Sequence, residues 1–384
     1  MNKVLKEFRE NALRAVFVSG KIDAELVYRL APAILRLRAE SGDPITVEID
    51  SLGGEIRNAE AIRGLLQTPD QRGQTVRVIT VVRNVAASAA ADLLALGNYA
   101  IAYKESTVHY HGSRQTVDDL TSERAARLAQ NLEQTNAAYA LRLARTSFGR
   151  AVFLYGNLAP EFEKFRQMLL KDEATEKGGV ARDISPLECF AYGLFQRLSS
   201  ENERLPRKAF VQHQKALALV NYVLPKLPQG FEKLPPSQAE AAILREVLAY
   251  EVEHAKSPSW SLSGGGMDQT TQDFTHLLDY LTGEHRGYVD RLLLEFGPLL
   301  VSNQQLSEFQ IIETKPENEK TAWLEKNIRP TLEPLWYFTV CLCRLLQRGE
   351  NSLPAEDAYW LGIVDEVVGS QLPNLRLLLE TEPD

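Results

Sequence analysis

Between residues 15 and 111, short runs of β-branched and aromatic residues alternate with helix-patterned segments, and this alternation constrains the fold more than any other feature. AVFVS (15–19) is closed by Gly20, and DAELVYRLAPAILRLRAES then carries Leu26, Leu30, Ile34 and Leu37 at helical spacing before the turn GDP. ITVEID (45–50) reads as a strand running straight into SLGG, NAEAIRGLLQT as a helix, and VRVITVV (76–82) as the next strand. ASAAADLLALG then reads as a helix, and YAIAY and STVHYH as two further short strands. Strands separated by helices bury themselves by placing those helices on the sheet faces, so an α/β core of βαβ units with a mainly parallel sheet is expected.

After about residue 115 the pattern becomes helical. DDLTSERAARLAQNLEQTNAAYALRLART (118–146) carries Leu120, Ala126, Leu128, Leu132, Ala137, Leu141 and Leu143, a broad apolar stripe suited to packing on a partner. From 200 to 345 nearly everything reads as helix, interrupted by KLPQGFEKLPPSQ (226–238) and the Ser/Gly loop SPSWSLSGGGMDQ (257–269). One long-range echo stands out. ISPLECFAYGLFQRL (184–198) and LPAEDAYWLGIVDEV (353–367) share a Pro, an acid, an aromatic and a Gly-Leu or Gly-Ile in the same order.

Composition narrows the function classes. The 384 residues allow two or three domains, or one domain with a large insertion. With 51 acidic against 43 basic residues, a net charge of −8 and no dense Lys/Arg run, nucleic acid and anionic membrane surfaces are not expected as partners. Cys189, Cys341 and Cys343 build neither a disulfide framework nor a zinc pattern, so no metal is expected. GGG at 264–266 lacks the framework of a phosphate loop, and no cofactor is expected. The charged start MNKVLKEFRENALRAVF does not read as a signal peptide, and no run approaches the roughly 20 apolar residues of a membrane span, so a soluble, cytoplasmic protein is expected.

Three groups can carry chemistry. The glycines of SLGG follow a strand at the sheet edge where α/β proteins place ligands, and a glycine there leaves a backbone N–H uncovered for an oxyanion; a plain tight turn explains them equally. Ser88 lies near the start of the helix after VRVITVV, within reach of its dipole and beside the N–H of Ala89, although close packing of an alanine-rich helix also accounts for a serine there. His111 ends STVHYHG, with His109 on the same strand face, and either imidazole is open to a structural reading. Together they fall at one edge of one sheet. That is the arrangement an acyl-transfer site needs, with nucleophile, base and oxyanion donors converging.

The order RAVFVSGKID, ITVEIDSLGGEI, VAASAAADLLALG, STVHYHG resembles the proteolytic subunit of the Clp protease (ClpP) over about residues 14 to 115. The resemblance implies a ClpP/crotonase-like fold with repeated β-β-α units, Ser88 as nucleophile, His111 as general base, and the N–H groups of Gly54 and Ala89 as oxyanion hole. It also implies that 118–146 is the handle helix through which rings stack. A homo-oligomeric ring, a peptide or unfolded-protein substrate and a separate ATPase unfoldase or activator follow from it. Two departures, Leu52 where the family has proline and Ala89 after the serine, remove no reacting group.

The orienting acid is ambiguous because the family's terminal motif occurs twice. Counting back from LGIVD reaches Glu350, and counting back from YGLFQ reaches Ala181, two residues from Asp183. The expected organisation is a ClpP-like core at 1–115, a handle-like helix and first terminal motif at 116–200, a helical insertion or C-terminal helical domain at 201–345, and a second terminal motif at 346–384. The competing functions are a catalytically silent scaffold subunit and a crotonase-like acyl-CoA enzyme, although the latter usually has a glycine-rich helix start where this chain has Ala-Ser-Ala-Ala. Relatives with a Ser-Lys dyad use similar turns, and His111 in its strand speaks for Ser-His.

Overall fold

The structure, a computed structural model, describes residues 9–69, 73, 75–115, 121–177, 183–231, 234–254, 283–302 and 305–375. The Ser/Gly loop at 257–269, Leu120 and Ala181 lie outside the described residues. The chain divides into two compact units, one formed by Met1–Arg207 with Thr339–Asp384 and the other by Lys208–Phe338.

The first unit is α/β. Strands β1 (Ala15–Ser19), β2 (Ile45–Ser51), β3 (Val78–Ala87) and β4 (Tyr99–Tyr103) lie side by side in parallel, with helices α1 (Ala24–Glu40), α2 (Ile56–Gln67) and α3 (Ala89–Ala95) between them. Asp23 caps α1 by accepting the Leu26 N–H, and Leu26, Leu30, Ile34 and Leu37 are its buried stripe. Val16, Val18, Ile45, Val47, Ile49, Val78 and Val81 are buried, as expected of parallel strands covered on both faces.

β3 is the pivot of the sheet. Its first half, Ile79–Val82, pairs with β4, and its end, Val85–Ala87, pairs with β5 (Thr107–His111). The sequence pattern ended this strand at Val82 and began the helix at Ala87. Instead the strand continues through Arg83–Ala87, because β2 and β5 pair with that segment and tertiary pairing overrides the weak strand propensity of Asn and Ala. A register shift between Ile49 and Ser51 then sets Ser51 opposite Ala86.

The end of the chain completes the same sheet. Helix α12 (Arg329–Leu346) leads into β6 (Glu350–Pro354), which pairs antiparallel with β5, and β7 (Glu366–Val368) pairs with β4. Arg150 and Asp365 lock this closure. Arg150 Nε donates to Asp365 Oδ2 (2.8 Å) and its Nη atoms to the carbonyls of Ile363 (3.1 Å) and Gly97 (3.0 Å), while the Ala100 N–H also donates to Asp365 Oδ2 (2.8 Å).

The two echo segments differ in structure. Residues 353–367 supply strand, helix α13 (Ala355–Trp360) and strand, whereas 184–198 form only helix α6 (Pro186–Phe195), packed against Phe165. The buried Asp357 ties the second segment to the turn that follows the first, accepting hydrogen bonds from the Ser199 N–H (3.0 Å), the Ser199 hydroxyl (2.5 Å) and Asn202 Nδ2 (2.7 Å).

Helix α4 (Ser122–Leu158) is 37 residues long, about 55 Å at 1.5 Å per residue. All its buried residues lie from Ala140 onward; in the first half, Leu128 and Leu132 are half-buried and Ala126 is exposed. Helix α5 (Phe162–Lys177) follows it.

The second unit is helical, with α7 (Arg204–Val223) entering it and α8 (Pro236–His254), α9 (Gly283–Phe296), α10 (Leu306–Glu313) and α11 (Glu317–Asn327) within it. Leu219, Val223, Leu227, Phe231, Ile243 and Val247 form one of its apolar clusters. No helix among the described residues is long and apolar enough to cross a membrane.

Candidate active site

The register shift that sets Ser51 opposite Ala86 brings the ends of β2 and β3 together, and the site is built there. Ser51 Oγ accepts the Gly53 N–H (3.0 Å) and donates to the Gly20 carbonyl (2.5 Å), fixing the entry to the glycine turn. Ile22 N–H donates to the Gly53 carbonyl (2.9 Å) and the Glu55 N–H donates to the Ile22 carbonyl (2.8 Å). This parallel bridge leaves the N–H of Gly54 turned away from Ile22.

Both glycines are required by their surroundings. Gly53 has φ +92°, and a Cβ on it would stand 2.6 Å from the Ala87 carbonyl oxygen and 2.7 Å from the Ser88 Cβ. Gly54 has φ +158°, and a Cβ there would meet the Ile22 carbonyl oxygen at 2.3 Å. The glycine turn therefore packs its backbone directly on Ser88.

Ser88 stands between β3 and α3, as the residue that caps the helix. Its backbone has φ 55° and ψ −127°, and it is the one non-glycine residue with positive φ among the described residues. Such a conformation costs about 1–3 kcal/mol and persists only where neighbours enforce it. Here the Ser88 N–H donates to the His109 carbonyl (2.8 Å), and the Ser88 carbonyl accepts from the N–H groups of Ala91 (2.9 Å) and Asp92 (3.2 Å). The side chain makes no capping bond, so the hydroxyl is left for other partners. Ala89, the first helical residue, has an N–H with no acceptor inside the helix.

The imidazoles lie on β5, where Val108 and Tyr110 face the core and Thr107, His109 and His111 face the other way, half-buried. The pairing of Ala87 with His109 brings this face alongside Ser88. The two rings are 6.0 Å apart between centroids. His111 Nδ1 lies 2.7 Å from the Gly112 carbonyl oxygen. A carbonyl only accepts, so Nδ1 carries the proton and the neutral ring keeps its lone pair on Nε2. No hydrogen bond joins the Ser88 hydroxyl to either imidazole among the described residues.

Glu350 faces His111 across the β5–β6 register, but its carboxylate is held by the diagonal neighbour. His109 Nε2 donates to Glu350 Oε2 (3.0 Å), and Arg114 pairs with Oε1. Asp183 is exposed just before α6 and makes no hydrogen bond or ion pair to either histidine among the described residues. The structure thus brings Gly54, Ser88, Ala89, His111 and Glu350 to one sheet edge and leaves Asp183 apart from these contacts. The sequence reading did not single out Gly112, Arg114 or the bond from His109 to Glu350. The period-two alternation that put both histidines on one face was the available signal for His109; nothing local marked Arg114.

Among the described residues no cluster of three or more His, Cys, Asp or Glu side chains could hold a metal ion, and Cys189, Cys341 and Cys343 are buried and unpaired as disulfides. Burial pushes the thiols of Cys341 up, to about 12, which makes it a poor nucleophile.

A search of curated proteins returned no match to this chain. The family model described as Clp protease matches residues 3–146, a span that contains the glycine turn, Ser88, both histidines and the first two-thirds of α4. The α/β part of the molecule is therefore ClpP-like over residues 3–146, at the level of the Clp protease family, and it is joined to an additional helical region.

Proposed function

We propose that the chain is a serine peptidase that cleaves peptides or unfolded protein segments through an acyl-enzyme on Ser88. The observation that carries this reading is the backbone of Ser88, held at φ 55° on a strand-to-helix junction with Gly53 packed against it. Strain of that kind in a small residue is uncommon outside functional sites.

In the proposed reaction the Ser88 hydroxyl attacks the peptide carbonyl and passes its proton to His111 Nε2. The tetrahedral oxyanion is held by the N–H groups of Gly54 and Ala89. Collapse expels the amine, which takes the proton back from His111, and water activated by the same imidazole then releases the acid. The Gly112 carbonyl supports the required tautomer, and Glu350 stands behind His109 as the nearest carboxylate. The half-buried apolar residues on the first half of α4, Leu128 and Leu132, support a homo-oligomeric, ring-type assembly stacked through this helix. A separate ATPase that delivers unfolded chains fits the same reading.

Ser88→Ala is expected to lower hydrolysis of an unstructured protein substrate by at least about 10³-fold while the far-UV circular dichroism is retained. A Ser88→Ala protein that hydrolyses the substrate as the parent does would exclude Ser88 as nucleophile.

A further inference from the structure

A cleft open to solvent lies between α2, α3 and α4, and Ala89 forms part of its wall. The Ala89 N–H, given above to the oxyanion, therefore belongs to a residue that borders this cleft. Much of the wall is apolar, from Ile56 on α2, Leu93 on α3 and Leu143 on α4. Asp92 interrupts it. One turn beyond Ala89 on the same face of α3, it stands about 4.5 Å further along the helix axis.

The carboxyl of Asp92 is half-satisfied. Gln347 Nε2 donates to Oδ1 (2.9 Å), and Oδ2 has no hydrogen bond among the described residues. Two cations share the cleft, but both are committed to Glu60. Arg63 Nη1 lies 3.5 Å from Glu60 Oε2, and Arg142 pairs with Oε1 while lying over the Tyr139 ring, 4.9 Å from its centroid. Asp92 is the charged residue of the lining that has no ion pair among the described residues. Burial pushes its carboxyl up to about 7 in spite of the Gln347 bond and the more distant Arg142, the signature of a carboxyl lacking a close cation.

We propose that this cleft receives the side chain of the residue whose carbonyl is attacked, and that Asp92 selects a long side chain with a cationic tip, lysine or arginine. The proposal rests on the serine-peptidase reading of Ser88. The aliphatic stem lies along Ile56, Leu93 and Leu143, and the ammonium or guanidinium donates to the open Oδ2 in a charge-assisted hydrogen bond. An acidic side chain meets the Asp92 carboxylate and is rejected. A purely apolar one leaves Oδ2 without a partner.

The test uses the full chain and two kinds of probe read by mass spectrometry on the Ser88 peptide. A simple alkyl fluorophosphonate needs no side-chain pocket; peptidyl aryl phosphonates carry Lys, Leu or Glu at the residue next to phosphorus. The expected result is labelling at least about tenfold faster with the Lys probe than with the Leu probe, slowest labelling with the Glu probe, and a Lys-to-Leu ratio that falls to one or below in Asp92→Asn. A fluorophosphonate adduct accompanied by an unselective or Leu-selective phosphonate series overturns the pocket assignment alone. Absence of the fluorophosphonate adduct overturns the reading of Ser88 and the pocket with it.

Discussion

Replacing His111 with alanine is expected to lower kcat/KM for peptide hydrolysis by about 10⁴ to 10⁶-fold, whereas His109→Ala is expected to cost about tenfold or less. The two imidazoles share a strand face, so sequence alone does not separate them. Their hydrogen bonds do. His111 donates from Nδ1 to the Gly112 carbonyl and keeps Nε2 as an acceptor, the form a general base requires. His109 donates from Nε2 to Glu350, so the nitrogen at the far end of its ring is engaged with a carboxylate. Glu350→Gln sharpens the distinction. If the Gly112 carbonyl orients His111 during turnover, the amide variant should lose about tenfold or less. A loss near 10⁴-fold would mean that Glu350 leaves His109 and Arg114 and binds His111 in the working enzyme. A His109→Ala variant as damaged as His111→Ala would transfer the role of base to His109.

The largest structural effect is expected at Arg150. Arg150→Ala should destabilise the α/β unit by about 3–5 kcal/mol, because the buried Asp365 would lose the cation that faces it. Both side chains are almost wholly buried, 2% and 0% exposed, so solvent offers no compensation. Arg150 also satisfies the Gly97 and Ile363 carbonyls, and it ties α4 to the junction where β7 joins β4. Amide hydrogen exchange in urea, followed on β4 and β7, measures the change region by region. Asp365→Asn keeps acceptors for Arg150 and Ala100 and should cost less than Arg150→Ala. Equal protection of β4 and β7 in the parent and Arg150→Ala would contradict the role given to this pair.

The parts of this fold that were legible in the sequence are those where local pattern and tertiary environment agree. β1, β2, β4 and β5 are short β-branched or aromatic runs, and α1 shows its buried stripe at helical spacing. The end of β3 was not legible, because Arg83–Ala87 has no strand signature of its own and is a strand only through β2 and β5. That segment decides the position of Ser88, which caps the helix directly after the strand instead of sitting several residues beyond it. The convergence of glycine turn, serine and histidines was readable from their order along the strands. The partner of each histidine was not. Which carboxylate approaches which ring depends on the antiparallel register between β5 and β6, two strands separated by the helical unit, and no local pattern records that register.

In the proposed reaction Ser88 is a nucleophile activated at this sheet edge. Incubation of the full chain with a fluorophosphonate, followed by digestion and mass spectrometry, tests it most directly. The predicted result is a covalent adduct on the Ser88 peptide that is absent from Ser88→Ala and strongly slowed in His111→Ala. A folded protein whose Ser88 peptide remains unmodified, or is modified equally without His111, would contradict it.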